Sequence, residues 1–414
     1  MRLKQRHMDT HFSAEFYVGN RARLRELFTG TAPIVLTATG LLQRGGDATF
    51  PFHQDANFWY LTGIDEPDMI LVMDKDKEYL ITPSVSDFHD VFNGRLDTDY
   101  LRQRSGVGTV LNAKDGWKQL NSRIKKVKHV ATLSASPPYI KAYGMYVNPA
   151  RSALIRKMID VNPTLKLLDL RPHLARLRMI KQPVELGVMQ QAIDLTAETI
   201  RRVKNKLPGL KYEFEVEAEI TGHLLRRGVI DAWKPIVASG ANACTVHYCD
   251  NSSELAAKGL ILIDIGAEVE HYCSDVSRTL SIDGHHSRRS QAVFDAVLKT
   301  QNFAINLQQP GSLIRENEKK TETFMGECLR ELGLIKTIDS KAIRRFFPYA
   351  TSHFLGLDPH DAGDYERPLE PGMVLTVEPG IHIPEEGLGV RIEDDIVITD
   401  KGPQNMSVKL PREL

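Results

Sequence analysis

The sequence has no apolar run approaching the roughly 20 residues needed to cross a bilayer, so no membrane-spanning helix is expected. Its opening residues, MRLKQRHMDTHF, lack the apolar core of a signal peptide. Cysteine is scarce. Cys244, Cys249, Cys273 and Cys328 form no CxxC pair, which argues against a zinc ribbon or a thioredoxin-like site. A reduced, cytoplasmic protein is expected. Charge of one sign is also missing: 53 basic and 53 acidic side chains give a formal net charge of zero. Nothing global draws the chain to nucleic acid or to an anionic membrane. The basic run from Arg123 to Lys128 reads as a solvated face. Tandem repeats and low-complexity segments are absent. So are HExxH, the GxSxG nucleophile elbow, a Walker A loop and a GxGxxG following a strand. Zincin, serine-hydrolase and nucleotide-binding readings fall away with them.

What is present is an ordinary globular composition, 42% hydrophobic and 26% charged, over 414 residues, long enough for two or three domains. Residues 1–175 mix short apolar runs with helical patterns. Ala32–Ala38, Met69–Asp74, Glu78–Thr82, Thr109–Leu111 and His129–Leu133 read as strands. Asn20–Phe28 and Asp97–Arg104 read as helices between them, which suggests an α/β unit. The stretch PFHQDANFWYLTG is unusually aromatic. Core packing is its first reading, and a cleft wall or subunit contact through Phe58, Trp59 and Tyr60 is the alternative.

A boundary falls near Arg171–Pro183, and a second domain is expected over residues 178–414. Pro183 opens an amphipathic helix in which Leu186, Met189, Ile193, Ile200, Val203 and Leu207 recur at helical spacing, and Pro208-Gly209 stops it. A second helix follows over Tyr212–Arg227. Pro235–Ser239, Leu260–Ala267, Cys273–Ile282, Met373–Glu378 and Gly389–Thr399 are rich in strand formers, and helices are expected at Ser290–Leu307 and Ile314–Leu332. Helices flanking antiparallel hairpins read as α+β.

Asp264, Asp275, His353, Glu378 and Glu393 stand out within these strands or at their ends. Four carboxylates gathered inside an apolar fold repel one another by several kcal/mol unless cations neutralise them. Carboxylates with one imidazole suit hard or borderline divalent ions. Hydrolysis by metal-activated water is the chemistry this suggests. A turn centred between Val269 and Glu270 places Asp264 opposite Asp275 on one sheet face. Val-Glu is a poor tight-turn pair, so a longer loop with a shifted register is the alternative. A turn centred between Glu385 and Glu386, bounded by Pro384 and Gly387, places Glu378 opposite Glu393. His353 and His360 lie in SHFLGLDPH, and His247 lies on an expected strand before Asp264. One imidazole would complete a metal shell, and the others could bind substrate or shuttle protons.

The segments IDIGAEVEHYCSDVSRT, SHFLGLDPHD, LTVEPG and GVRIEDDIVIT resemble the signatures of the pita-bread metallopeptidases, in the branch of aminopeptidase P, prolidase and methionine aminopeptidase. PFHQDANFWYLTGIDEP resembles the N-terminal domain of aminopeptidase P, which methionine aminopeptidase lacks. The resemblance implies an α+β pita-bread catalytic domain over 178–414 and a smaller α/β domain over 1–175. It implies two divalent metal ions, Mn²⁺ first, with Co²⁺ and Zn²⁺ also compatible. Asp264, Asp275, His353, Glu378 and Glu393 would be the ligands, Asp275 and Glu393 bridging. A metal-bridging hydroxide, oriented or deprotonated by Glu378, would attack the peptide bond before proline. His247 and His360 match substrate-binding and proton-shuttling histidines, and Arg391 matches an arginine that supports the acidic ligands. Removal of the first residue from peptides with proline in second position is the implied activity. An Xaa-Pro dipeptidase is the alternative, and a non-catalytic peptide-binding module the more remote one. A homo-oligomer, dimer or tetramer, is implied as well.

Two departures from the resembled pattern stand out. The pattern often has His-Gly four residues before the metal histidine, where this chain has Tyr349-Ala350. It commonly has tyrosine where this chain has His382. Tyr349 and His382 are therefore read as substrate-contacting positions that bear on specificity and turnover. A phenol donates one hydrogen bond but does not carry a proton near pH 7 as an imidazole does.

Overall fold

The computed structural model describes residues 10–75, 77–133, 140, 144–256 and 258–414, which group into one unit over Thr10–Leu177 and a second over Arg178–Leu414. In the first unit the sheet runs, edge to edge, Val110–Leu111, Lys77–Ile81, Ile70–Asp74, Ile34–Thr37, His129–Thr132, Lys166–Asp169. Ile70–Asp74 is antiparallel to both its neighbours, and the outer pairs are parallel. Helices Ala113–Ile124 and Ala150–Val161 cover it, burying Leu120, Ile124, Leu154 and Met158 against Val35, Val72 and Val130. The aromatic segment supplies core. Phe58, Trp59 and Tyr60 are buried in helix Ala56–Thr62, whose N-cap Asp55 accepts the Asn57 and Phe58 amides. Phe12 and Tyr17 meet Trp59 edge-on at 5.3 and 5.5 Å.

The second unit contains two hairpin systems, each covered by a pair of helices. Ile236–Ser239, Leu260–Ile265 and Val276–Ser281 form one antiparallel sheet. Val374–Val377, Asp394–Thr399 and Gly402–Asn405 form another, beside the two-stranded ribbon Gly380–Ile383 and Leu388–Arg391. Strand side chains alternate in direction, and these strands are buried on both faces, one under helices and the other toward the acidic residues. Ile261, Ile263 and Ile265 pack under helices Pro183–Lys206 and Glu213–Leu225, against Ile200, Val203, Val216 and Ile220. The other face of the same strand carries Leu262 and Asp264. Ile381, Ile383, Val390 and Ile392 likewise pack under Arg288–Leu307 and Ile314–Glu331, against Val293, Val297, Met325 and Leu329. That leaves His382, Arg391 and Glu393 on the opposite face. A one-residue slip would drive the carboxylates under the helices, so burial of the aliphatic face enforces the register.

The second hairpin has the expected register: Val377 pairs with Asp394, and Gly380 with Arg391, around a turn at Pro384–Glu386 and left-handed Gly387. The first differs from expectation. Asp264 pairs with Ser277, not Asp275, because the turn is formed by Glu270 and His271 rather than Val269-Glu270. Both turn residues take left-handed φ, 44° and 68°, which matches the strand twist of a two-residue hairpin. The shift is two residues, so the side-chain faces are unchanged. Asp275 falls in the break between Tyr272–Cys273 and Val276–Ser281. His247 lies in a turn after the 3₁₀ segment Gly240–Cys244, and not on a strand.

Gly266 separates Leu260–Ile265 from Ala267–Val269. A Cβ there would sit 2.1 Å from the Ser274 carbonyl and 2.5 Å from the Trp233 ring. The first obstacle is backbone and cannot swing aside. Gly266→Ala is expected to destabilise the protein by about 3 kcal/mol, read as a lower urea midpoint at unchanged m-value.

Candidate metal centre

Each acidic side chain of the site sits at a strand end or break, where the chain can turn a carboxylate inward. Asp264 is the penultimate residue of Leu260–Ile265. Glu378 follows Val374–Val377 directly, and Glu393 lies between Leu388–Arg391 and Asp394–Thr399. Asp264, Asp275, His353 and Glu393 are only 2–8% exposed. Ligand atoms of Asp275, His353 and Glu393 all lie within 4.8 Å of one another. His353 Nε2 is 3.3 Å from Glu378 Oε1 and 3.6 Å from Asp275 Oδ2.

The backbone fixes these groups from several sides. The His353 and Glu378 segments are joined by Thr376 N–H to the His353 carbonyl at 3.0 Å and Glu378 N–H to the Thr351 carbonyl at 2.9 Å. The two hairpins are joined by Glu393 N–H to the Ser277 carbonyl at 3.1 Å, and by Arg278, which donates to the Glu393 carbonyl at 2.6 Å. The amide of Asp275 donates to Asp395 Oδ2 at 3.2 Å. His353 Nδ1 is 3.1 Å from the Phe354 carbonyl, which can only accept. In the neutral ring that contact places the proton on Nδ1 and leaves Nε2, facing the carboxylates, as the atom open to a cation.

Electrostatics point the same way. Burial, then Glu393, Asp264 and Glu378, push the Asp275 carboxyl well above its ordinary range. Burial, then Glu378 and Asp264, do the same to Glu393. Asp264 is also raised by burial, although Arg391 opposes the shift. Burial depresses the His353 imidazole, and its hydrogen bond with Glu378 and that group's charge more than reverse this. Arg391, itself buried, pairs with Asp264 and donates from Nε to Ser277 Oγ at 2.8 Å. Ser277 in turn donates to Glu393 Oε2 at 2.8 Å. One guanidinium does not balance this many acids, and Asp264 Oδ1 is buried without a hydrogen-bond partner. An orphaned carboxylate oxygen, crowded buried acids and a bare imidazole nitrogen fit divalent cations bound mainly through oxygen.

The remaining predicted positions surround this cluster. His360 stacks on His353 at 3.9 Å with the rings 8° from parallel, and its imidazole is drawn down to about 4 by partial burial and by His353. His247 is exposed on its turn. His382 is 3% exposed and hydrogen-bonded through both ring nitrogens, to the Ala243 carbonyl at 2.7 Å and to Tyr349 Oη at 3.1 Å. Residues that hold the loops escape a sequence reading. Glu213 accepts from Ser239 N–H and Oγ, Asn242, Tyr248 Oη and Ser253 N–H, pinning both ends of the turn that carries His247. Asp361, next to His360, is buried against Arg178 and Lys181. Only the position of Glu213 at a helix start, and of Asp361 inside SHFLGLDPHD, hinted at them.

The crowded acids have a consequence for stability. In the metal-free protein, Asp275 and Glu393 keep protons that the unfolded chain releases above about pH 4. The folded state then binds more protons than the unfolded state, so stability falls as pH rises through the raised values. His360 and His382, both depressed, act in the opposite sense below about pH 6.5. On the alkaline side of that range, the melting temperature of metal-free protein should drop as pH rises, and saturating Mn²⁺ should flatten the slope. A metal-free melting temperature that climbs with pH there would contradict the assignment.

Residues 187–400 match the profile of Metallopeptidase family M24, and residues 17–131 that of Aminopeptidase P, N-terminal domain. The chain is 34% identical to the Xaa-Pro aminopeptidase of Escherichia coli, covering 97% of this chain and 96% of that protein. It is 33% identical to the Xaa-Pro aminopeptidase of Haemophilus influenzae, covering 90% and 89%. Zinc-substituted E. coli aminopeptidase P in complex with product superposes with a TM-score of 0.87 at 30% identity, over 98% of this chain and 97% of that one. With its two-unit architecture and its buried acid–histidine cluster, the chain belongs to metallopeptidase family M24, in the aminopeptidase P branch that carries the additional N-terminal domain.

Proposed function

We propose that the protein is an Xaa-Pro aminopeptidase, a metallo-exopeptidase that removes the first residue from peptides with proline in second position. The observation that carries this reading is the buried set of Asp275, His353 and Glu393 with Glu378 alongside and Asp264 Oδ1 unpartnered. Two divalent ions held by Asp264, Asp275, His353, Glu378 and Glu393 would supply a water activated near neutral pH and a Lewis acid for the scissile carbonyl. Mn²⁺ is our choice over Co²⁺ or Zn²⁺, on a donor set of four carboxylates and one imidazole.

The side chains divide the remaining work. Glu378 is the least enclosed of the acids and lies against His353, so it is placed to accept the proton of the attacking water. Arg391 and Ser277 keep Asp264 and Glu393 oriented. His360, neutral at pH 7 and stacked on His353, and His247, exposed on its anchored turn, are placed to hydrogen-bond the substrate and pass a proton to the leaving group. The bond before proline has no N–H on the leaving side. Selection for proline therefore rests on ring shape and on contacts to the carbonyl. We also assign the protein to the cytoplasm, consistent with its four free thiols, and expect a homo-oligomer, dimer or tetramer.

Purified protein supplied with Mn²⁺ should release the first residue from Xaa-Pro peptides. Asp275→Ala should reduce this to background, and His360→Ala should lower kcat by about 100-fold. Full activity after stringent metal removal would sink the mechanism. Comparing Ala-Pro with Ala-Pro-Ala and longer peptides separates the alternatives, because activity confined to the dipeptide identifies a dipeptidase.

A further inference from the structure

The two positions at which the chain departs from the resembled pattern meet each other in the fold. Tyr349 precedes the His353 loop, and His382 lies within strand Gly380–Ile383, yet Tyr349 Oη is 3.1 Å from His382 Nε2. The direction of that hydrogen bond follows from the other ring nitrogen. His382 Nδ1 is 2.7 Å from the Ala243 carbonyl, an acceptor only, so Nδ1 carries the proton. In the neutral ring Nε2 is then a bare acceptor, and the Tyr349 hydroxyl donates to it. Burial and the nearby Arg391 keep the ring neutral, drawing His382 down to about 4.

Arg391 packs over the phenol held in this way: its guanidinium carbon lies 5.8 Å from the Tyr349 ring centroid, a cation–π approach. Arg391 holds Asp264 directly and Glu393 through Ser277. The pair is closed off by backbone on a third side: a Cβ at Gly380 would come within 2.1 Å of Tyr349 Oη and 3.1 Å of His382 Nε2. No ring nitrogen of His382 is left to bind a peptide. The chain of contacts runs from the Gly240–Cys244 turn, which leads to His247, through His382, Tyr349 and Arg391 to Asp264.

We propose that Tyr349 and His382 form a positioning pair that holds Arg391 against Asp264 and ties this side of the metal centre to the turn bearing His247, without contacting the peptide. The proposal rests on the metal-centre reading above. It treats the two departures as one reciprocal exchange, with an imidazole and a phenol still meeting at the same place.

The test is calorimetric titration of Mn²⁺ into metal-free wild type, Tyr349→Phe, His382→Phe and the double variant, with thermal unfolding of each metal-free protein as the folding check. Each single change is expected to weaken Mn²⁺ binding by about tenfold. Turnover should fall with it, while KM for an Xaa-Pro peptide stays within about twofold, since no uniform substrate binding is removed. The double variant should be no weaker than the poorer single one, because both changes break the same link. His382→Gln, whose amide can donate to Ala243 and accept from the phenol, should retain wild-type affinity. Unchanged Mn²⁺ affinity with a raised KM in Tyr349→Phe would overturn the proposal and make the residue a substrate contact. Additive losses in the double variant would overturn it too. If Tyr349→Phe does not fold, the contrast of His382→Gln with His382→Phe decides, and equal affinities refute the pair. A wild type that takes up no Mn²⁺ defeats the metal reading itself, whereas a wild type that binds it alongside indifferent variants defeats only the role of the pair.

Discussion

Mutual repulsion among buried carboxylates is the constraint on which this catalytic unit depends. Asp264, Asp275 and Glu393 are enclosed almost completely, with Glu378 at their edge. Such a cluster is costly in a low-dielectric interior unless positive charge is brought to it. Arg391 supplies one permanent charge from inside the protein, shared between Asp264 and, through Ser277, Glu393. The remainder of the field calls for cations. The two hairpins and their helix pairs form a frame that keeps the acids together despite the repulsion. Ile261, Ile263 and Ile265 on one strand, and Ile381, Ile383, Val390 and Ile392 on the other ribbon, bury the faces that oppose the acids. Each such side chain contributes about 1.5–3 kcal/mol on burial.

The loops that complete the site are held by further buried charges, each satisfied in a different way. Glu213 is saturated by five hydrogen bonds from the turn bearing His247, and these outweigh burial and keep its carboxyl below the usual range. Asp361 is neutralised by Arg178 and Lys181. Neither is arranged to act on a peptide bond. Both limit the movement of the histidines beside them, and small errors in placement of such groups cost rate steeply. Of these three acidic groupings, the cluster of Asp264, Asp275 and Glu393 is the one left under-compensated by the protein's own groups.

Much of the catalytic unit was legible in the sequence because strand periodicity is a local signal. Alternation in LILIDI and in GVRIED already separates the aliphatic face from the acidic one. Pro384 and Gly387 mark the second turn, and its register follows. The first turn takes a shifted register, the alternative that the poor Val-Glu pair left open, because Glu270 and His271 adopt left-handed conformations without glycine or asparagine to announce them. The displacement is two residues, so the side-chain faces are unchanged. The aromatic segment had two readings from sequence. Its enclosure by Phe12 and Tyr17, some forty residues away in the chain, makes it core.

The amino-acid sequence by itself determined which groups can bind metal and which side of each strand they occupy, because residue chemistry and period-two alternation are properties of the local chain. Tertiary structure alone decided which groups restrain one another. Tyr349 and His382 are 33 residues apart, and Arg391 and Asp264 are 127 apart. Their contacts depend on how the hairpins cross and on which nitrogen of His382 already serves a distant carbonyl. Two departures that read as separate substrate-contacting positions in the linear chain share a single hydrogen bond in three dimensions, because only folding brings the Tyr349 phenol to the His382 imidazole.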